Sequence, residues 1–260
     1  MVDLRGQIDD YLEQLEFSSE PLTALFVEAM RYSLLAGGTR VRPLLALATA
    51  DVCGRPPASV LPLAAALEMI HTCSLIHDDL PALDNEELRR GKPAAHTAHG
   101  QDVALLAGDA LFAEAIALAL REQQGEPTRV LGSIAELAGA AGAGGLVGSQ
   151  YVGVAGRSRA PRALAPARDR SLMVAAVGAV LILTGESGPD TAALRRFAAE
   201  VGVLSQIVDD VIELTPEGER TPALERARES HGIAIAALAE TPRDTSTLER
   251  VADYVLACAA

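Results

Sequence analysis

The chain has no tryptophan, four phenylalanines, four tyrosines and, in 260 residues, a single lysine, Lys92. Arginine therefore carries almost all of the positive charge, and ring faces on which a cation could rest are scarce. Positive charge is itself in deficit: the formal net charge is −13. That disfavours a nucleic-acid surface, because phosphate contacts need cations, and it disfavours an anionic membrane surface. Cysteine is limited to Cys53, Cys73 and Cys258. An odd, scattered set with no zinc spacing reads as free thiols in a reducing, cytoplasmic compartment. The first residues, MVDLRGQIDDYLEQLEF, have neither a basic region nor an apolar one, so no secretory signal is expected. No apolar run matches the roughly 18 residues of a membrane span. The stretch from Val103 to Leu120 comes nearest, and Asp109 and Glu114 interrupt it. Alternating strand patterns, internal repeats and long linkers are all missing.

Leucine and alanine at helical spacing dominate what remains, and apolar residues make up 49% of the chain. Apolar positions at i, i+3, i+4 and i+7 predict helices near 4–16, 21–35, 40–53, 59–78, 101–121, 128–151, 168–186, 190–213, 222–239 and 244–258. The breaks fall at clusters of glycine and proline, Gly37-Gly38, Gly54–Pro57, Gly91–Pro93, Gly125–Pro127, Gly156–Pro166, Gly188-Pro189 and Pro216–Gly218. The expectation is an all-α bundle forming a single domain over residues 1–260, with several helices apolar most of the way round and therefore central. The glycine-rich run Gly139–Gly148 fits neither GxGxxG nor GxxxxGK[ST] and follows no strand, so it reads as close helix–helix packing.

Two acidic stretches interrupt this apolar background. The first, AAALEMIHTCSLIHDDLPALDNEELRRGKPAAHTAH from Ala64 to His99, sets Glu68, His71, Ser74, His77, Asp78 and Asp79 in an apolar helix. Buried carboxylates are costly unless paired or metal-bound. His71 and Asp78 are seven residues apart and share a helix face. Asp78 and Asp84 converge only if the helix ends between them, and Pro81 supplies that break. Three carboxylates would then stand at a helix end, followed by Arg89 and Arg90. Carboxylate oxygens suit Mg²⁺, and arginines suit bidentate phosphate binding. The second stretch, VGVLSQIVDDVIELTPE from Val201 to Glu217, places Gln206, Asp209 and Glu213 on one helix face. Glu217 would extend the row, but Pro216 points to the helix ending before it. Facing carboxylate clusters in a helical bundle imply a metal cluster holding a polyanion, with the metal reversing a negative local field.

These segments resemble the trans-isoprenyl diphosphate synthases, the polyprenyl synthetase family that includes farnesyl and geranylgeranyl diphosphate synthases. The similarity runs over about residues 20–215. SLIHDDLPALDNEELRRGKPAAH resembles the first aspartate-rich motif in its DDxxxxD form, and SQIVDDVIE the second. GGTRVRP, from Gly37 to Pro43, resembles the GGKRxRP segment, and LLAGDALF, from Leu105 to Phe112, the helix that follows the first motif. The resemblance implies an isoprenoid-synthase bundle with a central cavity between the acidic motifs. It implies three Mg²⁺ ions bridging an allylic prenyl diphosphate, which ionises and is attacked by isopentenyl diphosphate. Carried over by motif, Asp78, Asp79, Asp84, Asp209 and Glu213 would hold metal, and Arg89 the allylic diphosphate. Arg42, His71 and Arg90 would hold isopentenyl diphosphate, with Gln206 near the allylic site. A homodimer is implied by the family alone.

The departures from that pattern open other readings. Thr39 stands at the GGK lysine, Met173-Val174 at the lysine–threonine pair, and Gly153 at the aspartate of QxxD beginning at Gln150. A hydrogen bond to a charged group contributes about 1.5–3 kcal/mol, so elongation needs replacement cations. Arg40, Arg168 and Arg170 are the candidates. A different acceptor, such as an indole, is one variant of prenyl transfer. A terpene synthase that ionises the allylic diphosphate without isopentenyl diphosphate is a second reading, against which the aromatic scarcity counts. A non-catalytic or regulatory subunit is a third. Ser74 and Cys73, small residues one turn before Asp78, suggest a pocket deep enough for C15–C20 chains. His77, His96 and His99 are given no catalytic role.

Overall fold

Where leucine and alanine run unbroken the chain stays helical, and it turns where glycine and proline fall. The computed structural model describes residues 2–156, 167–213 and 220–259. In chain order the helices are α1 (Val2–Glu13), α2 (Ala24–Leu34), α3 (Val41–Val52), α4 (Leu61–Asp79), α5 (Ala95–His99) and α6 (Gln101–Glu122). There follow α7 (Pro127–Ala141), α8 (Leu146–Gly156), α9 (Ala167–Thr184), α10 (Pro189–Glu213), α11 (Arg220–Leu238) and α12 (Ser246–Ala257). The starts obey local chemistry. At α7, Glu126 accepts hydrogen bonds from the N–H groups of Thr128 (3.0 Å) and Arg129 (2.9 Å), with Pro127 preset for the first turn.

The all-α expectation holds, and three details differ from it. The predicted helix 128–151 is two helices. Two of the glycines, Gly145 between them and Gly148 in the first turn of α8, serve local backbone approach instead of helix–helix packing: a Cβ there would fall on the carbonyl oxygen of Ala140 or Ala143, respectively. They let the chain fold back on its own backbone between α7 and α8. The short helix α5 was not foreseen, nor was a hairpin of β1 (Leu88–Arg89) and β2 (Lys92–Pro93), antiparallel with Arg89 opposite Lys92. Its two turn residues, Arg90 and Gly91, both have positive φ (54° and 73°), which the strand twist demands of a two-residue connection. The third difference is apolar length. Among the described residues, three stretches, 57–79, 101–122 and 127–154 (the last spanning α7 and α8), are long and apolar enough to cross a membrane by length and composition. Counting unbroken runs missed them, because a few charges are tolerated within each.

α4 is the axis of the bundle. It touches α1, α2, α3, α5, α6, α7, α8 and α9, and most of its residues are buried, as its nearly uniform apolarity requires. α10 lies beyond α9 and packs on α9, α11 and α12. The buried apolar side chains form one cluster from Leu4 in α1 to Val255 in α12 and Ala259 just after it. Two chemistries are thereby carried on separate walls: the last turn of α4, and the last turns of α10.

Candidate active site

α4 stops where the sequence says it must. Leu80 is extended (ψ 145°) ahead of Pro81, and the Asp84 N–H then donates to the Asp78 carbonyl at 2.8 Å. The loop thus closes the backbones of the two aspartates onto each other. Asp78 and Asp79 are buried, whereas the side chain of Asp84 points to solvent. Asp78 accepts a hydrogen bond from Gln150 Nε2 (3.0 Å), which also reaches the Ser74 carbonyl (3.2 Å). The residue that begins the QxxD remnant in α8 therefore grips the last turn of α4.

Asp79 has a different partner. Arg89 Nε lies 3.1 and 3.3 Å from its two carboxylate oxygens, and Nη2 donates to Oδ1 as well. This is a fork-like guanidinium–carboxylate contact. Burial pushes the Asp79 carboxyl above the usual aspartate range, and Arg89 draws it partly back. The hairpin that carries Arg89 also carries Arg90, whose Nη1 donates to the Gly37 carbonyl. Gly38 beside it has φ 121°, and a Cβ there would come within 2.5 Å of the Arg90 guanidinium. Glycine is required at that point so that the hairpin arginine can seat over the loop.

Between the walls lies a cavity of about 460 Å³. Arg42 at the start of α3 and His71 on α4 line it, with Arg89 and Arg90 from the hairpin and Asp209 from α10. Arg5 from α1, Thr39 and Tyr254 from α12 also line it. Four of the predicted binding residues, Arg42, His71, Arg89 and Arg90, thus meet in one place with Asp209 opposite. Asp78 does not line this cavity: it turns toward α8 while His71 faces the cavity, although both were expected on one face. Gln206 sits one turn before Asp209, its Oε1 buried with no hydrogen-bond partner among the described residues. The Glu213 side chain and all of Glu217 lie outside the described residues.

The carboxylates present the hard oxygen donors that suit Mg²⁺. They are not gathered in advance: among the described residues no three His, Cys, Asp or Glu side chains are close enough to hold a metal ion. The expected three-carboxylate cluster fails to close because Asp79 is paired with Arg89 and Asp84 faces solvent. The donor set fits the ion in kind, and Arg89 stands in the place where a cation would meet Asp79.

The replacement cations are not those expected. Arg40 is 3% exposed and locked to Glu68 (2.6 Å) and Asp9 (2.9 Å), so it cannot reach a ligand. Arg170 pairs loosely with Glu200 (3.9 Å) and lies beside a groove between α7 and α9. The Arg168 side chain lies outside the described residues. Met173 is core and Val174 lines that same groove, so no cation stands at the lysine–threonine position. Sequence reasoning missed Arg5 altogether, because its contact with Tyr254 spans 249 residues and no local pattern reports it. His77, on the α4–α6 seam with Nε2 3.2 Å from the Leu105 carbonyl, has no part in the cavity.

The sequence profile of polyprenyl synthetase matches residues 23–222. A chloroplastic geranylgeranyl pyrophosphate synthase of Capsicum annuum is 44% identical over 199 residues, 74% of this chain and 54% of the relative. The large subunit 1 of a heterodimeric geranylgeranyl pyrophosphate synthase of Arabidopsis thaliana is 43% identical, covering 72% of this chain and 54% of that protein. The chain thus spans little more than half the length of these curated relatives. A solved FPP/GFPP synthase from Zymomonas mobilis superposes with a TM-score of 0.86 at 32% identity, over 98% of this chain and 96% of the other. A geranyltransferase from Legionella pneumophila gives 0.87 at 27%, over 99% and 95%.

Proposed function

This chain belongs to the polyprenyl synthetase family, and on that premise we propose that it transfers an allylic prenyl group to isopentenyl diphosphate, making C15–C20 prenyl diphosphates. The observation that carries the reading is the cavity. In a chain of net charge −13, four arginines, Arg5, Arg42, Arg89 and Arg90, converge with His71 on one half-open cavity. Such a concentration of cations in a negative protein is suited to more than one phosphate group. A one-diphosphate terpene synthase has less use for so many. Among the described residues the one aromatic ring on the cavity wall besides the His71 imidazole, Tyr254, also offers little to a cyclising cation.

In this reading Arg89 turns from Asp79 to the allylic diphosphate, and Arg42, His71 and Arg90 orient isopentenyl diphosphate. The allylic C–O bond breaks, a carbon–carbon bond forms to isopentenyl diphosphate, and a proton is lost. The arginines stabilise the charge that develops on the departing diphosphate, which is strongest in a site closed to water. Asp78, Asp79 and Asp84 on one wall and Asp209 on the other would hold Mg²⁺, which when bound would supply further positive charge to the leaving group. A homodimer is part of the proposal: exposed Leu105, Phe112 and Leu120 are spaced seven and eight apart along α6, a one-sided apolar face.

The test is diphosphate release by the purified chain with Mg²⁺, given dimethylallyl, geranyl, farnesyl or geranylgeranyl diphosphate, with and without isopentenyl diphosphate. Release that requires isopentenyl diphosphate, with a product five carbons longer, is the expected result. Release without it, giving a hydrocarbon or alcohol, marks a terpene synthase, and no release marks a subunit without activity. Asp78→Ala and Asp209→Ala are each expected to lower Mg²⁺-dependent release by about 10³-fold, or about 4 kcal/mol, while the chain still melts cooperatively. Activity retained in either variant removes that wall from the metal site.

A further inference from the structure

Arg5 projects from α1, and three of its contacts are with protein. Nη1 donates to the Tyr254 hydroxyl at 2.9 Å, Nη2 to the Gly38 carbonyl at 3.0 Å, and Nε lies 3.5 Å from Asp9. A guanidinium has five N–H donors, so two remain. The side chain is 41% exposed, and its exposed part lines the cavity that Arg42, His71 and Arg90 share. Its anchor at the Gly38 carbonyl is one peptide from Thr39. Arg40, by contrast, has its guanidinium buried and bound to Asp9, Glu68 and the Leu34 carbonyl. The loop therefore turns its own arginine inward, through a left-handed backbone at φ 53°, and offers the cavity a neutral threonine.

We propose that Arg5 supplies the diphosphate-binding cation of this subsite, filling from α1 the place that Thr39 leaves uncharged, with Tyr254 of α12 fixing its orientation. The inference rests on the elongation reading given above. It makes Arg5 a substrate-binding residue for isopentenyl diphosphate, acting beside Arg42, His71 and Arg90 and apart from Arg89.

Titration calorimetry of the full chain without Mg²⁺, using isopentenyl diphosphate and inorganic pyrophosphate, tests it, together with KM values for both substrates. Arg5→Gln is expected to weaken isopentenyl diphosphate binding roughly 10- to 100-fold and to move the KM for the allylic diphosphate less than about threefold. Arg5→Lys keeps the charge and recovers most of the loss. Adding Thr39→Lys to Arg5→Gln also restores affinity, although it cannot remake the tie to Tyr254. A merely structural arginine would instead weaken both substrates together, and Thr39→Lys would not rescue it. Equal weakening of both, or unchanged binding in Arg5→Gln, overturns the assignment. If Arg5→Gln does not melt cooperatively, Thr39→Lys in the unaltered chain decides: severalfold tighter binding supports a diphosphate at this spot, and no change overturns it. A wild-type chain that binds neither probe overturns the elongation reading and Arg5 with it. A wild-type chain that binds and elongates while Arg5→Gln does so equally well overturns Arg5 alone.

Discussion

Two arginine–carboxylate pairs hang on α4. Glu68 holds Arg40 and Asp79 holds Arg89. The carboxylates are 11 residues apart, about three turns at roughly 3.6 residues each, so they lie on nearly the same face. Their side chains are equally buried, at 2% and 4% exposure, but the guanidiniums are not: Arg40 is 3% exposed and Arg89 is 26%. Arg40 is also tied to Asp9 and the Leu34 carbonyl. Burial alone would make it a weaker base, but Glu68 and Asp9 outweigh burial and hold it charged. Arg89 sits on a two-residue strand at the edge of a cavity. The lesson is that a buried carboxylate on a helix marks either a strut or a site, and the exposure of its cation tells which. The Arg40 pair fixes the loop that presents Thr39 and Arg42, while the Arg89 pair, with its guanidinium partly exposed, borders the cavity.

The sharpest way to break this comparison is to remove one carboxylate from each pair. Glu68→Gln leaves the Arg40 guanidinium buried and short of its anion. That is expected to cost about 3–5 kcal/mol, a fall of roughly 6–20 °C in Tm at about 2–4 °C per kcal/mol. A calorimetric melt within 3 °C of the parent would show that Arg40 is no strut. The matching change at the other pair acts on turnover. Arg89→Gln is expected to lower kcat/KM for the allylic diphosphate about 10²-fold, or about 2.7 kcal/mol, with Tm moving by 3 °C or less. Steady-state kinetics and the same melt read both effects. A large loss of stability with normal kinetics would make Arg89 the second strut.

The helical bundle was legible because leucine and alanine keep their period over long stretches, and Pro81 marked the end of α4 correctly. Arg42, His71, Arg89, Arg90 and Asp209 were all found by motif, and the structure brings them to one cavity. What escaped was non-local or too short to have a period. Two-residue strands have no alternation to read, and Arg90-Gly91 is not among the turn pairs that announce a hairpin. Arg40 looked like a ligand because a segment with two arginines reads the same whether one turns inward or both face a substrate. The left-handed backbone at Arg40 decides the matter, and that is a property of the fold. Arg5 and Gln150 act through partners in distant helices, which single-sequence spacing cannot register.

Cys73 gives the finest test of the contrast, because it lies on α4 between the two carboxylates, five residues after Glu68 and six before Asp79. If both pairs differ only in the exposure of the cation, the helix between them must be dry. Cys73 is 8% exposed, with Sγ 3.9 Å from His77 Nδ1. Burial, with a smaller contribution from Asp109, pushes its thiol from 9.0 up to about 12. The thiolate is the reactive form, and at pH 8 only about one molecule in 10⁴ would carry it by that difference. The sign follows: the buried thiol favours the native state below pH 9.0, and that contribution is lost as pH rises toward about 12. At pH 8 a thiol-specific alkylating reagent should therefore leave Cys73 unmodified in the folded chain, while the half-buried Cys53 and Cys258 react slowly. Peptide mapping after denaturation should show all three modified. Native Cys73 reacting as fast as Cys258 would mean that water reaches the middle of α4. The Glu68–Arg40 pair would then be solvated too, and the burial that separates strut from site would not be the cause of their difference.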